Sequence, residues 1–315
     1  MRIVFMGTPE FGVPCLQALK DAGHEIVGVF CQPDKPKGRG NKVQICPVKE
    51  LALRLNIPVF QPKRIRLDGL EDLRALKPEL CVTAAFGQIL SQENLDVPAI
   101  GTVNVHSSLL PKYRGSAPIN WALIKGEKVT GVTTMFTDRG MDTGDILLQR
   151  TYEIPDEMSA SELTKELSSI GADLLIETIR QIEQGTCRRI KQNEAEATYY
   201  PMLKKEMGQL DFTLSAQELV QLVRGLEPWP GTYVHTPDGV MKIWKARAAL
   251  DESGAKPGTI LCKNAKDGLK VRCGQGALEL IEIQMPGSKR MAVRDYLRGH
   301  EIAPDCFEYV KEESL

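Results

Sequence analysis

The fold is decided by the opening stretch, Met1-Arg-Ile-Val-Phe-Met-Gly-Thr-Pro-Glu-Phe-Gly12, together with the residues that follow it. Its apolar run predicts a short buried strand, and the Gly-Thr-Pro sequence after it predicts a turn. Apolar residues at helical spacing favour a helix over 11–22, which Gly23 ends, and a second apolar run over 26–30 predicts a strand. A strand, a helix and a second strand of these lengths form a βαβ unit, which indicates a parallel sheet.

The same alternation continues along the first part of the chain. It predicts strands over 57–60, 80–85, 101–106, 132–136 and part of 146–154, and helices over 48–55, 70–76, 119–125 and 161–182. We therefore expect a doubly wound, Rossmann-like α/β domain that spans residues 1–190.

The pattern changes after residue 190. Residues 191–206 are polar and irregular, which is typical of a linker. After a helical segment over 216–224 come short β-like runs, separated by turn signals such as Asp267-Gly268. Short strands at regular spacing predict a small OB-like β-barrel over residues 207–315.

Composition limits the class of protein. The chain has 315 residues, 42% apolar and 26% charged, as expected for a globular protein with two domains. The net charge of −1 excludes a general polyanion binder, so any nucleic-acid surface must be local. No apolar run approaches the ~20 residues of a membrane helix, and the run at residues 2–6 is too short for a signal peptide. We expect a cytoplasmic protein with no membrane partner, preferably a monomer.

The eight cysteines do not form a metal pattern. None of them belongs to a CxxC pair, so the spacing typical of a zinc site is absent and no metal is expected. In a chain of this length without export signals, reduced and mostly buried thiols are the rule, which disfavours a cysteine nucleophile.

Two polar side chains end one of the predicted strands. Asn104 and His106 are two residues apart, so they project from the same face of the strand. Ligands of open α/β sheets bind at the carboxyl ends of the strands, where both residues lie. A capping asparagine and a packed histidine would be the structural alternative. The shared face and the scarcity of histidine, with four in the chain, favour a functional pair.

A second polar loop follows the strand over 132–136. It reads Thr137-Asp-Arg-Gly-Met-Asp-Thr-Gly-Asp145 and contains three aspartates. Turn-forming, solvated carboxylates or a calcium site are the structural alternatives, but the twelve-residue EF-hand spacing is absent. Pairing one of these carboxylates with His106 would raise the basicity of the histidine.

The spacing of these motifs resembles that of the folate-dependent formyltransferase family. The resemblance rests on Asn104-x-His106, on Ser108-Leu109-Leu110-Pro111, and on Asp142, which lies 36 residues after the histidine. It implies a catalytic role for Asn104, His106 and Asp142. It also implies folate contacts, made by Ser108, Leu109, Leu110 and Pro111 and by Phe86, Gly87, Gln88 and Ile89. Phe86 stands where the family usually has Tyr, which leaves a backbone role intact.

The chemistry that the resemblance implies suits these residue types. The co-substrate is 10-formyltetrahydrofolate, and no metal is required. Attack of a neutral amine on the formyl carbon places negative charge on the formyl oxygen, which Asn104 and His106 could bind. One such donor is worth ~3–4 kcal/mol of the barrier. Asp142 would hold His106 as imidazolium or position a water that carries the proton.

The acceptor amine is suggested by the rest of the chain. Family members act on glycinamide ribonucleotide, methionyl-tRNA or an amino sugar, and residues 1–12 and 34–42 resemble the members that act on methionyl-tRNA. Residues 32–46 are rich in cations, glycine and proline, which predicts an exposed basic loop. Residues 34–66 carry nine Lys/Arg against two Asp/Glu, a local net charge of +7. We expect initiator methionyl-tRNA as partner, contacted by Lys35, Lys37, Arg39 and Lys42.

The predicted barrel offers further cations. Residues 263–298 hold eight Lys/Arg against four Asp/Glu. Lys263, Lys266, Lys270 and Arg290 are the candidate tRNA contacts there, since OB-like barrels bind nucleic acids.

Four alternatives remain beside this interpretation. An amino-sugar nucleotide formyltransferase would share the catalytic residues but would not need the basic loop, and a formyl-folate hydrolase would not need an RNA surface. A non-catalytic RNA-binding protein would have no use for Asn104, His106 and Asp142. A dinucleotide oxidoreductase is disfavoured because the GxGxxG spacing is absent after the first strand.

Overall fold

The structure is a computed structural model that describes residues 1–37 and 42–309. Its strands are β1 (Arg2–Gly7), β2 (Glu25–Phe30), β3 (Lys35–Lys37), β4 (Lys42–Gln44), β5 (Val59–Phe60), β6 (Leu80–Ala84), β7 (Gly101–His106), β8 (Arg114–Gly115), β9 (Val129–Phe136), β10 (Ile146–Glu153), β11 (Tyr199–Tyr200), β12 (Thr232–Thr236), β13 (Gly239–Ala249), β14 (Ile260–Asn264), β15 (Gly268–Arg272), β16 (Ala277–Gln284) and β17 (Met291–Ala292). Its α-helices are α1 (Val13–Asp21), α2 (Pro47–Arg54), α3 (Ile65–Asp68), α4 (Leu70–Leu76), α5 (Gln92–Leu95), α6 (Pro118–Ile124), α7 (Ala160–Glu183), α8 (Ala216–Leu226) and α9 (Val293–Tyr296).

Two compact units divide the chain. The first contains residues 1–118, 129–153 and 164–200, and the second contains residues 119–128, 154–163 and the chain from Pro201 onward. The domain boundaries expected at residues 190 and 207 stay a prediction.

The first unit is built on a seven-stranded sheet of order β10-β9-β7-β6-β1-β2-β5. The strands from β7 to β5 are parallel, whereas β9 is antiparallel to β7 and β10 is antiparallel to β9. β6 is buried along its whole length, as its continuous apolar sequence requires in a sheet covered on both faces. The strand order runs outward in both directions from β1 and β6, so the predicted doubly wound domain is confirmed.

The parallel strands end at one edge of this sheet. Register pairs Gly7 with Ala84 and Thr83 with Asn104, so the carboxyl-terminal parts of β1, β6 and β7 lie side by side. The close approach explains Gly7, because a Cβ there would lie 2.9 Å from the carbonyl oxygen of Ala84. This carboxyl edge carries the candidate site.

The basic region after β2 is more ordered than a simple exposed loop. β3 and β4 pair as an antiparallel hairpin around residues 38–41, which lie outside the described part of the chain. At its base, Lys49 donates to Asp34 Oδ2 at 2.5 Å and to Gln61 Oε1 at 2.7 Å. The Lys49 bond, followed by one from Gln61, holds the pKa of Asp34 below its ordinary range. The hairpin therefore starts from a fixed anchor.

The second unit is built on an antiparallel sheet of order β12-β13-β16-β15-β14, with β17 added beside β16. Helix α8 begins at a capping box in which Ser215 and Glu218 each bind the other's backbone N–H. Its buried residues Leu219 and Val223 join a core with Met241, Leu269 and Leu280. A small β-domain after an α/β domain is the fold class predicted from the sequence.

Within residues 1–37 and 42–309, no helix combines the length and the apolar character that a membrane span needs.

Candidate active site

Asn104 presents a free amide donor at the end of β7. The hydroxyl of Thr83, its register neighbour on β6, donates to Asn104 Oδ1 at 2.8 Å. That bond uses the oxygen of the amide and turns the Nδ2 group toward other partners. Nδ2 has no hydrogen-bond partner among the residues that the structure describes. Asn104 can therefore donate to an oxygen of a bound substrate.

His106 lies two residues further on and is 7% exposed. Its Nε2 is 2.9 Å from the carbonyl oxygen of Tyr113. A carbonyl can only accept, so Nε2 carries a hydrogen. Nδ1 is then the nitrogen that can take up or release a proton. It lies 3.7 Å from Asp142 Oδ1, close enough for an ion pair when the ring is protonated.

Asp142 is held in a strained backbone conformation by two neighbours. Its φ of 55° lies in the left-handed region that is costly for a residue other than glycine. The backbone N–H of Gly115 donates to Oδ2 at 2.8 Å, which leaves Oδ1 directed to His106. The side-chain Nε2 of Gln192 donates to the carbonyl oxygens of Asp142 and Gly144, at 2.7 and 2.8 Å. The loop is thus fixed by residues far away in sequence.

A buried arginine stands behind this arrangement. Arg114 is 0% exposed, and its guanidinium donates twice to Gln192 Oε1, twice to the carboxylate of Glu194, and to the hydroxyl of Tyr199. The bonds that the guanidinium donates to Glu194 are the main reason that the pKa of Arg114 is raised, although burial opposes the shift. In return, Arg114 lowers the pKa of Glu194. Arg114 therefore fixes Gln192, which fixes the Asp142 loop.

Sequence reasoning missed four residues of this site, namely Thr83, Arg114, Gln192 and Glu194. Gln192 and Glu194 lie within residues 191–206, which the sequence predicts as a linker, and Arg114 lies between predicted elements. No periodicity or motif marks them, because their contacts join residues 21 to 80 positions apart.

The two candidate folate segments follow adjacent strands of the sheet. Residues 85–89 follow β6 and turn sharply, with φ of 49° at Ala85 and 76° at Gly87. Phe86 is buried and Ile89 is 74% exposed. Gln88 is used within the protein, since its side chain accepts from the N–H of Ile65 and donates to a backbone carbonyl. Ile89 and the turn at Gly87 are the parts of this segment open to a ligand.

The second segment, residues 108–111, follows β7. Ser108 is 1% exposed and its hydroxyl donates to the carbonyl oxygen of Lys112, so it shapes the loop. Leu110 packs into a small buried cluster, and the Leu110–Pro111 peptide bond is cis. Leu109 and Pro111 are half-buried apolar surfaces. Both segments therefore leave apolar surface, at Ile89, Leu109 and Pro111, on loops that follow adjacent strands.

The cations proposed for RNA contact are only partly described. Lys35 is exposed, and Lys37 and Lys42 lie at the ends of the hairpin strands. Arg39 lies outside the described residues.

In the second unit the cations differ in what they already bind. The ammonium of Lys263 donates to Asp305 and to two backbone carbonyls, so its three protons are used within the protein. Arg290 pairs with Glu282 and lies over the ring of Trp244. Lys266 and Lys270 have no ion-pair partner in the described part of the chain.

Metal chemistry and thiol chemistry have little support in the described residues. No group of three or more His, Cys, Asp or Glu side chains there could hold a metal ion. Burial raises the pKa of the thiols of Cys15 and Cys81 to about 12, which keeps them protonated and unreactive.

Family models match both units. Residues 1–179 match the formyl transferase model and residues 202–301 match the model of the formyl transferase C-terminal domain. The methionyl-tRNA formyltransferase of Acetivibrio thermocellus is 51% identical over 305 residues, which cover 96% of this chain and 97% of that protein. The enzyme of the same name from Clostridioides difficile is 48% identical over 303 residues, covering 96% of this chain and 98% of that protein.

Solved structures share the fold. The N-formyltransferase from Helicobacter canadensis, in complex with folinic acid and dTDP-3-aminofucose, has a TM-score of 0.67 at 19% identity and covers 88% of this chain and 98% of its own. HypX from Aquifex aeolicus in complex with tetrahydrofolic acid has a TM-score of 0.66 at 18% identity, covering 100% of this chain and 52% of its own. Together with the family models and the near-full-length relatives, these findings show that the chain belongs to the formyltransferase family.

Proposed function

We propose that this protein transfers the formyl group of 10-formyltetrahydrofolate to the amino group of methionyl initiator tRNA, giving N-formylmethionyl-tRNA. The observation that carries the proposal is the free Nδ2 donor of Asn104 beside His106, with Asp142 behind the histidine. An amide donor and an ionisable imidazole at one sheet edge suit acyl transfer to an amine.

Asn104 and His106 have separate roles in this mechanism. The folate supplies a formyl carbonyl, and its oxygen gains negative charge as the amine attacks. Asn104 Nδ2 binds that oxygen, and its position is preset by the bond from Thr83, so no reorganisation is needed during the reaction. His106 exchanges a proton at Nδ1, because Nε2 is committed to the carbonyl of Tyr113.

Asp142 keeps the histidine ready for that exchange. Its Oδ1 lies 3.7 Å from Nδ1, a distance that shortens to a hydrogen bond by a small movement or is bridged by a water. The carboxylate favours the imidazolium that forms when Nδ1 accepts the proton of the attacking amine. The proton is then available to the folate nitrogen that leaves.

Binding of the co-substrate is proposed for the two loops at the sheet edge. Residues 86–89 and 108–111 follow adjacent strands and carry exposed or half-buried apolar groups at Ile89, Leu109 and Pro111. Phe86, Gly87 and Gln88 form the turn beneath them, and Ser108 and Leu110 fix the second loop from inside.

The choice of acceptor is supported by the relatives. Proteins about half identical to this chain over nearly its full length are named methionyl-tRNA formyltransferases, whereas two structures named sugar formyltransferases are 18–19% identical and share only the fold. The cations of β3 and β4, together with the exposed Lys266 and the half-buried Lys270, supply charge for RNA. The expectation of a monomer stays a prediction, and size-exclusion chromatography with light scattering tests it.

A transfer assay tests the function directly. The purified protein is given 10-formyltetrahydrofolate with initiator methionyl-tRNA, elongator methionyl-tRNA, glycinamide ribonucleotide or an amino-sugar nucleotide. We expect formylation of the initiator tRNA above all others. Transfer to a small amine instead would be compatible with the proposed catalytic residues and would overturn the proposed acceptor. Absence of transfer to all four acceptors would overturn the proposal that the protein is a formyl-transferring enzyme.

Variants separate catalysis from binding. His106→Ala should abolish transfer while tRNA binding, measured by filter retention, survives. His300→Ala, in the second unit, serves as the matched control and should keep full activity.

A further inference from the structure

An exposed tyrosine stands at the edge of the candidate site. Tyr199 is 54% exposed, and its hydroxyl is held by Arg114, whose guanidinium carbon lies 5.4 Å from the centre of the ring. Exposed tyrosines usually move between rotamers, and ordering one costs conformational entropy. Here the buried arginine has already fixed the ring, although half of its surface is left open. A fixed and open aromatic ring is a preformed stacking surface.

The position of Tyr199 relative to the reacting groups is set by backbone pairing. β11 runs parallel to β8, with Tyr199 opposite Arg114 and Tyr200 opposite Gly115. The N–H of Gly115 binds Asp142. One residue before β8, the carbonyl of Tyr113 binds His106, and its ring stacks on Tyr200 with centroids 4.9 Å apart. Tyr199 is therefore one strand away from the backbone that holds both candidate acid–base groups.

Exposed cations lie in the two segments that lead into β8 and β11. Lys112, Arg188 and Lys191 are exposed and have no ion-pair partner in residues 1–37 and 42–309. Lys112 lies in the loop between β7 and β8, and Lys191 directly precedes Gln192. Residues 186–200 carry three Lys/Arg against two Asp/Glu, and one of the two carboxylates, Glu194, is already paired with Arg114. The local charge thus favours a negatively charged ligand.

We propose that Tyr199 stacks on an unpaired base at the 3′ end of the acceptor RNA, with Lys112, Arg188 and Lys191 near its phosphates. The inference rests on the proposed function. The reacting amine is attached through an ester to the last ribose of that end, so the bases nearest the amine must pass the edge of the site. Unpaired bases stack on aromatic side chains, and every base has a face that can do so.

Steady-state kinetics on initiator methionyl-tRNA test the proposal. Loss of one stack removes binding energy that is equal in the ground and transition states, so KM rises and kcat is retained. Tyr199→Ala should raise KM for the tRNA about tenfold, the size of one base–aromatic stack, and leave KM for the folate unchanged. Tyr199→Phe keeps the ring and should stay within about threefold of the parent. Leu250→Ala removes a fully exposed apolar side chain in the second unit and is the control.

A fluorescent base reports the stack itself. 2-Aminopurine replaces each unpaired 3′ base of the tRNA in turn, and its fluorescence falls when it stacks. At one of these positions, binding to the parent and to Tyr199→Phe should quench the probe, and binding to Tyr199→Ala should not.

The outcomes separate the stacking proposal from the function. If the parent enzyme does not formylate methionyl-tRNA, the proposed function fails before any variant is compared. With an active parent, an unchanged KM in Tyr199→Ala overturns stacking. An equal rise of KM for the tRNA and for the folate in Tyr199→Ala also overturns it. A rise of KM for the tRNA in Tyr199→Phe as large as that in Tyr199→Ala does the same, since each result assigns the tyrosine a structural role.

Discussion

At the scale of single residues, the direction of one hydrogen bond decides what Asn104 can do. An asparagine amide has an accepting oxygen and a donating nitrogen at nearly equal positions. The Thr83 hydroxyl takes the oxygen, so the nitrogen is the group presented to a substrate. The pair is a consequence of parallel register, because Thr83 and Asn104 stand opposite each other on β6 and β7.

Asn104→Asp tests the donor with minimal change of shape. The aspartate keeps an oxygen for Thr83 and loses the Nδ2 donor, so kcat should fall about 10²- to 10³-fold with KM for the folate little changed. Thr83→Val leaves the Asn104 donor in place but removes the bond that orients it, so kcat should fall about tenfold. Equal activity of Asn104→Asp and the parent would remove Asn104 from the mechanism.

The Arg114–Glu194 pair predicts a pH dependence of stability. Arg114 holds the pKa of Glu194 below its ordinary value of 4.5 in the folded protein. A carboxyl group with a depressed folded pKa stabilises the fold in full above its unfolded pKa, and this contribution is lost as pH falls through the folded pKa.

Comparison with Glu194→Gln isolates that contribution. The difference in free energy of unfolding between the parent and the variant should be constant near neutral pH and should shrink as the pH falls below 4.5. Urea titrations at several pH values measure it. Glu196→Gln, which changes a carboxylate bonded to Asn193, is the control and should lack this trend. A difference that grows toward acid would contradict the assignment.

At the scale of elements, the segment between α7 and β11 is part of the site. Ile190 exchanges backbone hydrogen bonds with Ile146, and Gln192 caps two carbonyls of the loop over 137–145. The left-handed φ of Asp142 is maintained by this outside support, since the residue itself does not favour it.

Gln192→Ala should release the loop without touching a reacting group. We expect kcat to fall about tenfold to a hundredfold, with a smaller change in KM for the folate, because a displaced carboxylate misplaces His106. Asn193→Ala alters the next side chain and should cost little activity. Comparable kcat values for Gln192→Ala and the parent would show that the loop holds its conformation alone.

The sequence predicts some elements of this site and not others for a physical reason. β6 and β7 follow from apolar runs, and the shared face of Asn104 and His106 follows from the two-residue repeat of a strand. These are local properties. The Arg114–Gln192 contact joins residues 78 positions apart, and nothing in the sequence around Arg114 distinguishes a buried arginine from an exposed one. The β3–β4 pairing was missed because cations and prolines favour an exposed loop.

At the scale of the whole molecule, the second unit is not one continuous stretch of chain. It includes residues 119–128 and 154–163, which lie between segments of the first unit. Asn120 donates to the carbonyl of Gly225 at 2.7 Å, and Arg224 donates to the carbonyls of Met158 and Pro155 at 2.9 and 3.1 Å. Burial lowers the pKa of Arg224.

A fragment of residues 201–315 should therefore be less stable than the same residues in the whole chain. Each lost hydrogen bond costs about 1 kcal/mol, and the uncovered side of α8 adds to that loss. The chain's three tryptophans, Trp121, Trp229 and Trp244, all belong to the second unit, so tryptophan fluorescence in urea reports its unfolding in the full chain.

The fragment's urea midpoint should be lower than the full chain's. Asn120→Ala in the full chain should lie between the two. Equal midpoints for all three would show that residues 201–315 fold independently of the inserted segments.

The support that Gln192 and Glu194 give to Asp142 and Arg114 also sets an order in time. Synthesis places Asn104, His106 and Asp142 in the nascent chain by residue 142, whereas Gln192 and Glu194, which support the Asp142 loop and Arg114, are added some 50 residues later. Until Gln192 and Glu194 have left the ribosome, the carbonyl of Asp142 lacks the Gln192 donor and the guanidinium of Arg114 lacks the Glu194 carboxylate. A nascent chain therefore contains the three candidate catalytic residues before the segment that supports Asp142 has been made. The candidate site is complete once the chain has been synthesised through β11.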